Sequence, residues 1–198
     1  KGGSGCRACC VVYDKKNLEP CDGQTPSYDV MRPTVGPDGG RLGVGCLREK
    51  SGRLSQQVRV YTIGEEEPTF TLEFGERQIY ALRHYKNGNL FILCEDGLYT
   101  FSPEGAELSA FPLSGITRFA HHEGDLPMVA LRVLSGSGER VRLIAFDADG
   151  QAAWESQVAG SLRDLDFRGG YAVALFYEEL CTLDLSGDTP TFARKTVK

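Results

Sequence analysis

The chain has 198 residues, 41% hydrophobic and 25% charged, with a formal net charge of -5. That length buries a sizeable core as one all-β domain or as two small ones, and the composition excludes disorder as the main state. The acidity argues against a nucleic-acid partner, which needs Lys and Arg to neutralise phosphates, and no apolar run reaches the roughly eighteen residues of a membrane span.

Lys1 to Gly5 lacks the apolar core of a signal peptide, and the missing initiator Met places any leader or membrane anchor upstream. Cys6, Cys9, Cys10 and Cys21 follow. Cys6-Arg-Ala-Cys9 has the C-x-x-C spacing of zinc and redox sites, yet Cys21 lacks a second ligand hook and no helical pattern follows. No metal is expected, and a disulfide from Cys9 or Cys10 to Cys21 is left open. Cys46, Cys94 and Cys181 sit in apolar runs and read as small buried hydrophobes.

No window keeps a 3.6-residue apolar period, whereas short β-rich runs recur between turn signals such as Pro37-Asp-Gly-Gly40, Asn87-Gly88, Pro103-Glu-Gly105 and Asp149-Gly150. Residues 1–27 read as a partial blade with a strand at Cys10 to Asp14. The next unit, 28–74, offers strands at Val30 to Val35, Arg41 to Leu47, Gln57 to Ile63 and Thr69 to Phe74. Unit 75–113 offers Gln78 to Tyr85, Leu90 to Cys94, Leu98 to Phe101 and Leu108 to Leu113. Unit 114–160 offers Ile116 to His121, Met128 to Val133, Arg142 to Phe146 and Ala152 to Val158. Unit 161–198 offers Leu162 to Phe167, Tyr171 to Tyr177, Leu180 to Leu183 and Thr191 to Arg194. Leu98 to Gly105, Leu143 to Gly150 and Leu180 to Gly187 are copies of one pattern, with a weaker copy from Val60 to Gly64. Their spacing of roughly forty residues is that of one four-stranded blade per repeat. The expected fold is all-β: a β-propeller of four-stranded antiparallel blades in a single domain, four to five of them, and short of a complete ring.

Leu143-Ile-Ala145-Phe-Asp147-Ala-Asp-Gly150-Gln-Ala-Ala-Trp154 resembles the repeat of quinoprotein-like (PQQ-like) propellers, with Ala145, Asp147, Gly150 and Trp154 at the motif positions. Phe111 and Phe192 stand in for the aromatic in two partial copies, where Asp184 and Gly187 keep the last turn. A single Trp and too few blades mean that the resemblance carries over no cofactor. WD40-like propellers are the alternative cousin, although neither a Gly-His nor a Trp-Asp pair occurs. The chain also looks like uncharacterised membrane-anchored propellers of Gram-positive gut bacteria, which implies an extracytoplasmic setting in the cell envelope.

The residues expected at the channel mouth are His84, Arg118, His121, Arg163, Asp164 and Asp166. His84 and His121 hold equivalent places on successive first strands. His121-His122 cannot hold one ion, because adjacent strand residues point to opposite faces. Asp147-Ala-Asp149-Gly150 lacks the further oxygen donors of a calcium loop. The expected role is non-catalytic binding or scaffolding of a protein or glycan, in part of a larger protein. Open sheet edges would pair with a second copy. The alternative is a glycan-active hydrolase or lyase using carboxylates such as Asp29, Asp164 and Asp166, with Arg118 and Arg163 as their partners.

Overall fold

The computed structural model describes residues 10–17, 19–24, 29–50, 52–121, 127–135, 138–168, 170–177, 179–184 and 191–196, and all its regular structure is β-strand. The chain divides into two compact units, Lys1–Ala110 and Phe111–Lys198.

In the first unit, β1 (Cys10–Tyr13) pairs with β2 (Pro20–Gln24) as a two-stranded sheet. A four-stranded meander follows, made of β3 (Asp29–Val35), β4 (Arg41–Lys50), β5 (Arg53–Thr62) and β6 (Phe70–Gly75). A second is made of β7 (Ile79–His84), β8 (Leu90–Cys94), β9 (Gly97–Phe101) and β10 (Glu107–Pro112). Val58, Val60 and Phe74 of one sheet pack against Leu82, Leu90, Ile92 and Cys94 of the next. Phe74 meets Tyr99 and Phe101 edge-on, at 5.6 and 6.3 Å between ring centroids. On the other side, Leu42, Val44 and Cys46 of β4 are covered by Cys10 and Val12 of β1.

The second unit repeats the scheme. Its third sheet is β11 (Ile116–His121), β12 (Met128–Ser135), β13 (Gly138–Phe146) and β14 (Ala152–Ala159). Its fourth is β15 (Leu162–Arg168), β16 (Tyr171–Phe176), β17 (Glu179–Asp184) and β18 (Thr191–Thr196). Met128, Ala130, Leu143 and Ala145 pack against Leu162, Ala172, Ala174, Phe176 and Leu183, with Trp154 resting on the cluster.

Two hairpins run further than their apolar residues do. β4 and β5 stay paired from Arg41↔Thr62 to Lys50↔Arg53, and β12 and β13 continue to Ser135↔Gly138. The extra rungs are largely polar, so hydropathy does not signal them; main-chain hydrogen bonds carry the ladder on.

The hairpin turns follow one design, clearest at Asp147. Its Oδ1 accepts from the backbone N–H groups of Asp149 (3.0 Å) and Gln151 (2.9 Å), while its carbonyl accepts from Gly150 N (3.1 Å). Gly150 sits at φ 80°, which a side chain would strain. Ser102 repeats the pattern with its hydroxyl, which accepts from Glu104 N and Ala106 N.

Candidate functional site

Three turns of the first unit enclose a pocket of about 200 Å³: Gly36–Gly40 between β3 and β4, Lys86–Gly88 between β7 and β8, and the turn after β9 at Pro103. Asp38, Arg41, His84, Lys86 and Asn87 line it. Each turn fixes its own polar group. Asp38 Oδ1 accepts from Gly40 N at 2.9 Å, and Asn87 Oδ1 accepts from Asn89 N at 3.0 Å. Arg41 Nη1 donates to the Pro103 carbonyl, which ties the first sheet to the second.

His84 is the last residue of β7, and its backbone N–H donates to Thr34 Oγ1 at 3.3 Å. The imidazole lies where position 43 has no side chain. A Cβ there would come within 3.1 Å of His84 Cε1 and 3.0 Å of Thr34 Cγ2. His84 Nδ1 is buried without a hydrogen-bond partner. Burial, and secondarily the Arg41 guanidinium, push the His84 pKa down to about 4, against a smaller opposing pull from Asp38. The ring is therefore neutral at physiological pH.

Arg118 and Arg163 occupy a shared backbone feature. The first strand of every four-stranded sheet carries a bulge, at Arg32–Pro33, Tyr80, Arg118 and Arg163. Arg32 is the one non-glycine with positive φ (52°) among the described residues. A bulge re-aims the side chain it carries, so these positions are set apart from the alternation of their strands. Arg118 and His121 lie on β11, and their side chains are outside the described residues. Arg163 lies 5.3 Å over the Tyr177 ring. Asp164 and Asp166 share the exposed face of β15, and Asp164 Oδ1 accepts from Leu165 N at 2.9 Å. Of the six residues, His84 belongs to the first unit and the other five to the second.

The second unit has an open pocket of about 420 Å³ lined by Gly160, Ser161, Phe176, Tyr177, Glu179 and Arg194. Its two charges satisfy each other, because Arg194 Nη2 pairs with Glu179 Oε2. Neither pocket is lined by Asp29, Asp164 or Asp166.

The open face of the fourth sheet is more distinctive. β16 alternates exposed and buried residues along its length. Ala172, Ala174 and Phe176 face the core, whereas Tyr171 (53% exposed), Val173 (38%) and Leu175 (40%) face outward. Register places Asp164 and Asp166 beside Leu175 and Val173 on one flank. On the other flank come Leu180 and Thr182, then Lys195 and Ala193 of β18.

Ala145, Asp147, Gly150 and Trp154 serve the architecture, as the turn and the core cluster above show. Phe111 packs edge-on against Phe146 at 5.2 Å, and Phe192 lies opposite Leu183. Gly187, Cys6, Cys9 and the side chain of Cys21 fall outside the described residues. Cys46, Cys94 and Cys181 are fully buried, and burial pushes their thiols up, that of Cys94 to about 12. Sequence reasoning did not single out Asp38, Arg41 and Lys86 as site residues: Asp38 reads as part of a turn, Arg41 as the start of a strand, and Lys86 only precedes the Asn87-Gly88 turn signal. The signal available was that these turns share one hairpin pattern in successive repeats.

No protein-family model matches the chain, and no curated protein matches it in sequence. Solved structures do. Dihydro-heme d1 dehydrogenase NirN matches with a TM-score of 0.64 at 14% identity, over 98% of this chain and 42% of that one. Sqt1 from Chaetomium thermophilum matches at 0.56 and 16% identity, over 80% of this chain and 43% of that one. BamB from Moraxella catarrhalis matches at 0.54 and 12% identity, over 86% and 51% respectively. The chain spans about half the length of these structures or less. Their shared fold is the β-propeller, and at such identities the likeness establishes that fold alone.

Proposed function

We propose that the chain is a non-catalytic binding domain whose docking surface is the open face of the fourth sheet, and that the occupant is a second copy of this chain. One observation carries the reading. Tyr171-Ala-Val-Ala-Leu-Phe176 is apolar at every position, the pattern of a strand buried on both faces, yet only one face is covered. β8, equally apolar, is buried throughout. Every other sheet junction described within a unit is closed by another β-sheet, which makes a sheet the fitting cover here as well. Charge favours a second copy. Asp164 and Asp166 line one flank of the stripe and Lys195 the other, so a two-fold axis along the strands lays the acidic strand of each copy over the lysine of its partner.

Size-exclusion chromatography with light scattering over a dilution series tests this. The wild-type chain should dimerise, and Val173→Glu and Leu175→Glu should each give a folded monomer. A strict monomer at the highest concentration overturns the second copy as occupant. A dimer that survives both substitutions overturns the face. A glycan that bound the monomer at Tyr171 would replace the reading with a carbohydrate-binding one. The larger reading, an extracytoplasmic part of a bigger envelope protein, rests on the resemblance to anchored propellers; cell fractionation of the native protein tests it, and a cytosolic location would overturn it.

A further inference from the structure

We propose that the turn pocket around His84 in the first unit is a binding site for a small oxyanion, a phosphate or carboxylate group carried by a soluble ligand. The argument is one of donors and charge. Arg41 and Lys86 bring two positive charges to the lining and Asp38 one negative charge, with His84 neutral, so the formal charges of the lining residues sum to one positive. Arg41 is held in place by its bond to Pro103, its one side-chain hydrogen bond among the described residues, which occupies one of five N–H donors. A guanidinium pinned at one nitrogen presents its remaining fork to paired oxygens at little entropic cost.

The imidazole adds a donor. Its buried Nδ1 meets no partner, and an orphaned acceptor costs less than an orphaned N–H, which assigns the proton of the neutral ring to Nε2. The bare Cα of Gly43 and the Thr34 bond seat this ring, so its position is built by neighbours on two strands rather than left to a loop. Gly88 completes the enclosure. At φ 87°, a Cβ there would stand 3.2 Å from Pro103 Cγ, so two of the turns close on each other where a side chain would hold them apart. Two cations, a neutral imidazole and fixed turns line about 200 Å³, space for an oxyanion and a short attached group rather than a polymer.

Inorganic phosphate is the probe, titrated against chloride at matched ionic strength and followed on the histidine ring signals by NMR. The chain has three histidines, His84, His121 and His122, so the second pair serves as an internal control. The His84 signal should move saturably while the other two stay. Lys86→Gln and Arg41→Gln should each weaken binding about tenfold or more, as expected for loss of one hydrogen bond to a charged group. Arg41→Gln also breaks the Pro103 tie, so Lys86→Gln, on an exposed turn, is the decisive variant. No saturable shift, equal shifts at all three histidines, or unchanged affinity in Lys86→Gln overturns the site.

Discussion

β8 and β16 are second strands of equivalent sheets, and both are apolar from end to end, yet they sit in opposite situations. Leu90 to Cys94 are all buried, alternately into the cluster shared with the first sheet and on the opposite face. In β16 only Ala172, Ala174 and Phe176 are buried. Sequence pattern reports what a strand is made to bury, whereas the structure reports what this chain alone can bury. Where the two differ, apolar surface is left exposed. The difference also shows in side-chain size: the covered face of β16 uses two alanines beneath the third sheet, while its open face keeps Tyr, Val and Leu.

The sharpest test of that contrast is truncation on each strand. Ile92→Ala should cost about 2–5 kcal/mol in denaturant unfolding, since it opens a cavity in a fully packed cluster. Leu175→Ala should cost less than about 1 kcal/mol in dilute solution, because Leu175 is already 40% exposed and leaves no closed cavity behind. Equal costs under dilution would show that the outer face of β16 is covered within the chain itself, and the comparison would fail.

A smaller effect separates the turns. Asp147→Ala removes the acceptor of two backbone N–H groups and should cost about 1–2 kcal/mol. Ser102→Ala removes a neutral acceptor at longer distances, 3.2 and 3.3 Å, and should cost less, roughly half as much on the same scale. A reversed order would mean that these turns are held by glycine geometry and not by their side-chain acceptors.

How much of this was legible follows from what each feature depends on. The blades were legible because turn glycines and apolar runs recur with the repeat, and local chemistry fixes both. The bulges were not. Arg118 and Arg163 stand out as cations on inner strands, but nothing in their neighbours' hydropathy marks the shift of backbone register at those two positions. His84 was legible as the equivalent of His121, whereas Arg41 and Lys86 were not, because their meeting depends on turns distant in sequence coming together in space.

The part-buried imidazole separates the first unit's pocket from ordinary surface turns through pH. The folded-state pKa of His84 is about 4, below its ordinary 6.5, so the unfolded chain binds the proton first. Its contribution is therefore fully present above pH 6.5 and is lost as pH falls from 6.5 toward 4. His84→Gln should flatten the stability profile in that window relative to wild type, with urea midpoints at each pH as the measurement. An unchanged slope would place the ring in solvent and remove it from the pocket floor.

The smallest effect contrasts two ion pairs. Arg142 reaches Glu155 with two nitrogens, Nε to Oε1 and Nη2 to Oε2, both at 2.7 Å, across the β13–β14 pair. Its guanidinium also lies 6.0 Å over the Phe111 ring. The hydrogen bonds from Arg142 hold the Glu155 carboxyl below the usual carboxylate range, so the pair's stabilisation is present at neutral pH and is lost as pH falls through that lowered pKa. Arg53 and Glu76 are 3.8 Å apart at one contact, with side chains 83% and 72% exposed. A fixed fork loses little rotamer freedom when it binds, whereas two solvated side chains must be ordered for a screened attraction. Double-mutant cycles should therefore give about 0.5–1 kcal/mol for Arg142–Glu155 and close to zero for Arg53–Glu76. Equal coupling in the two cycles would show that bidentate geometry contributes nothing here beyond charge proximity.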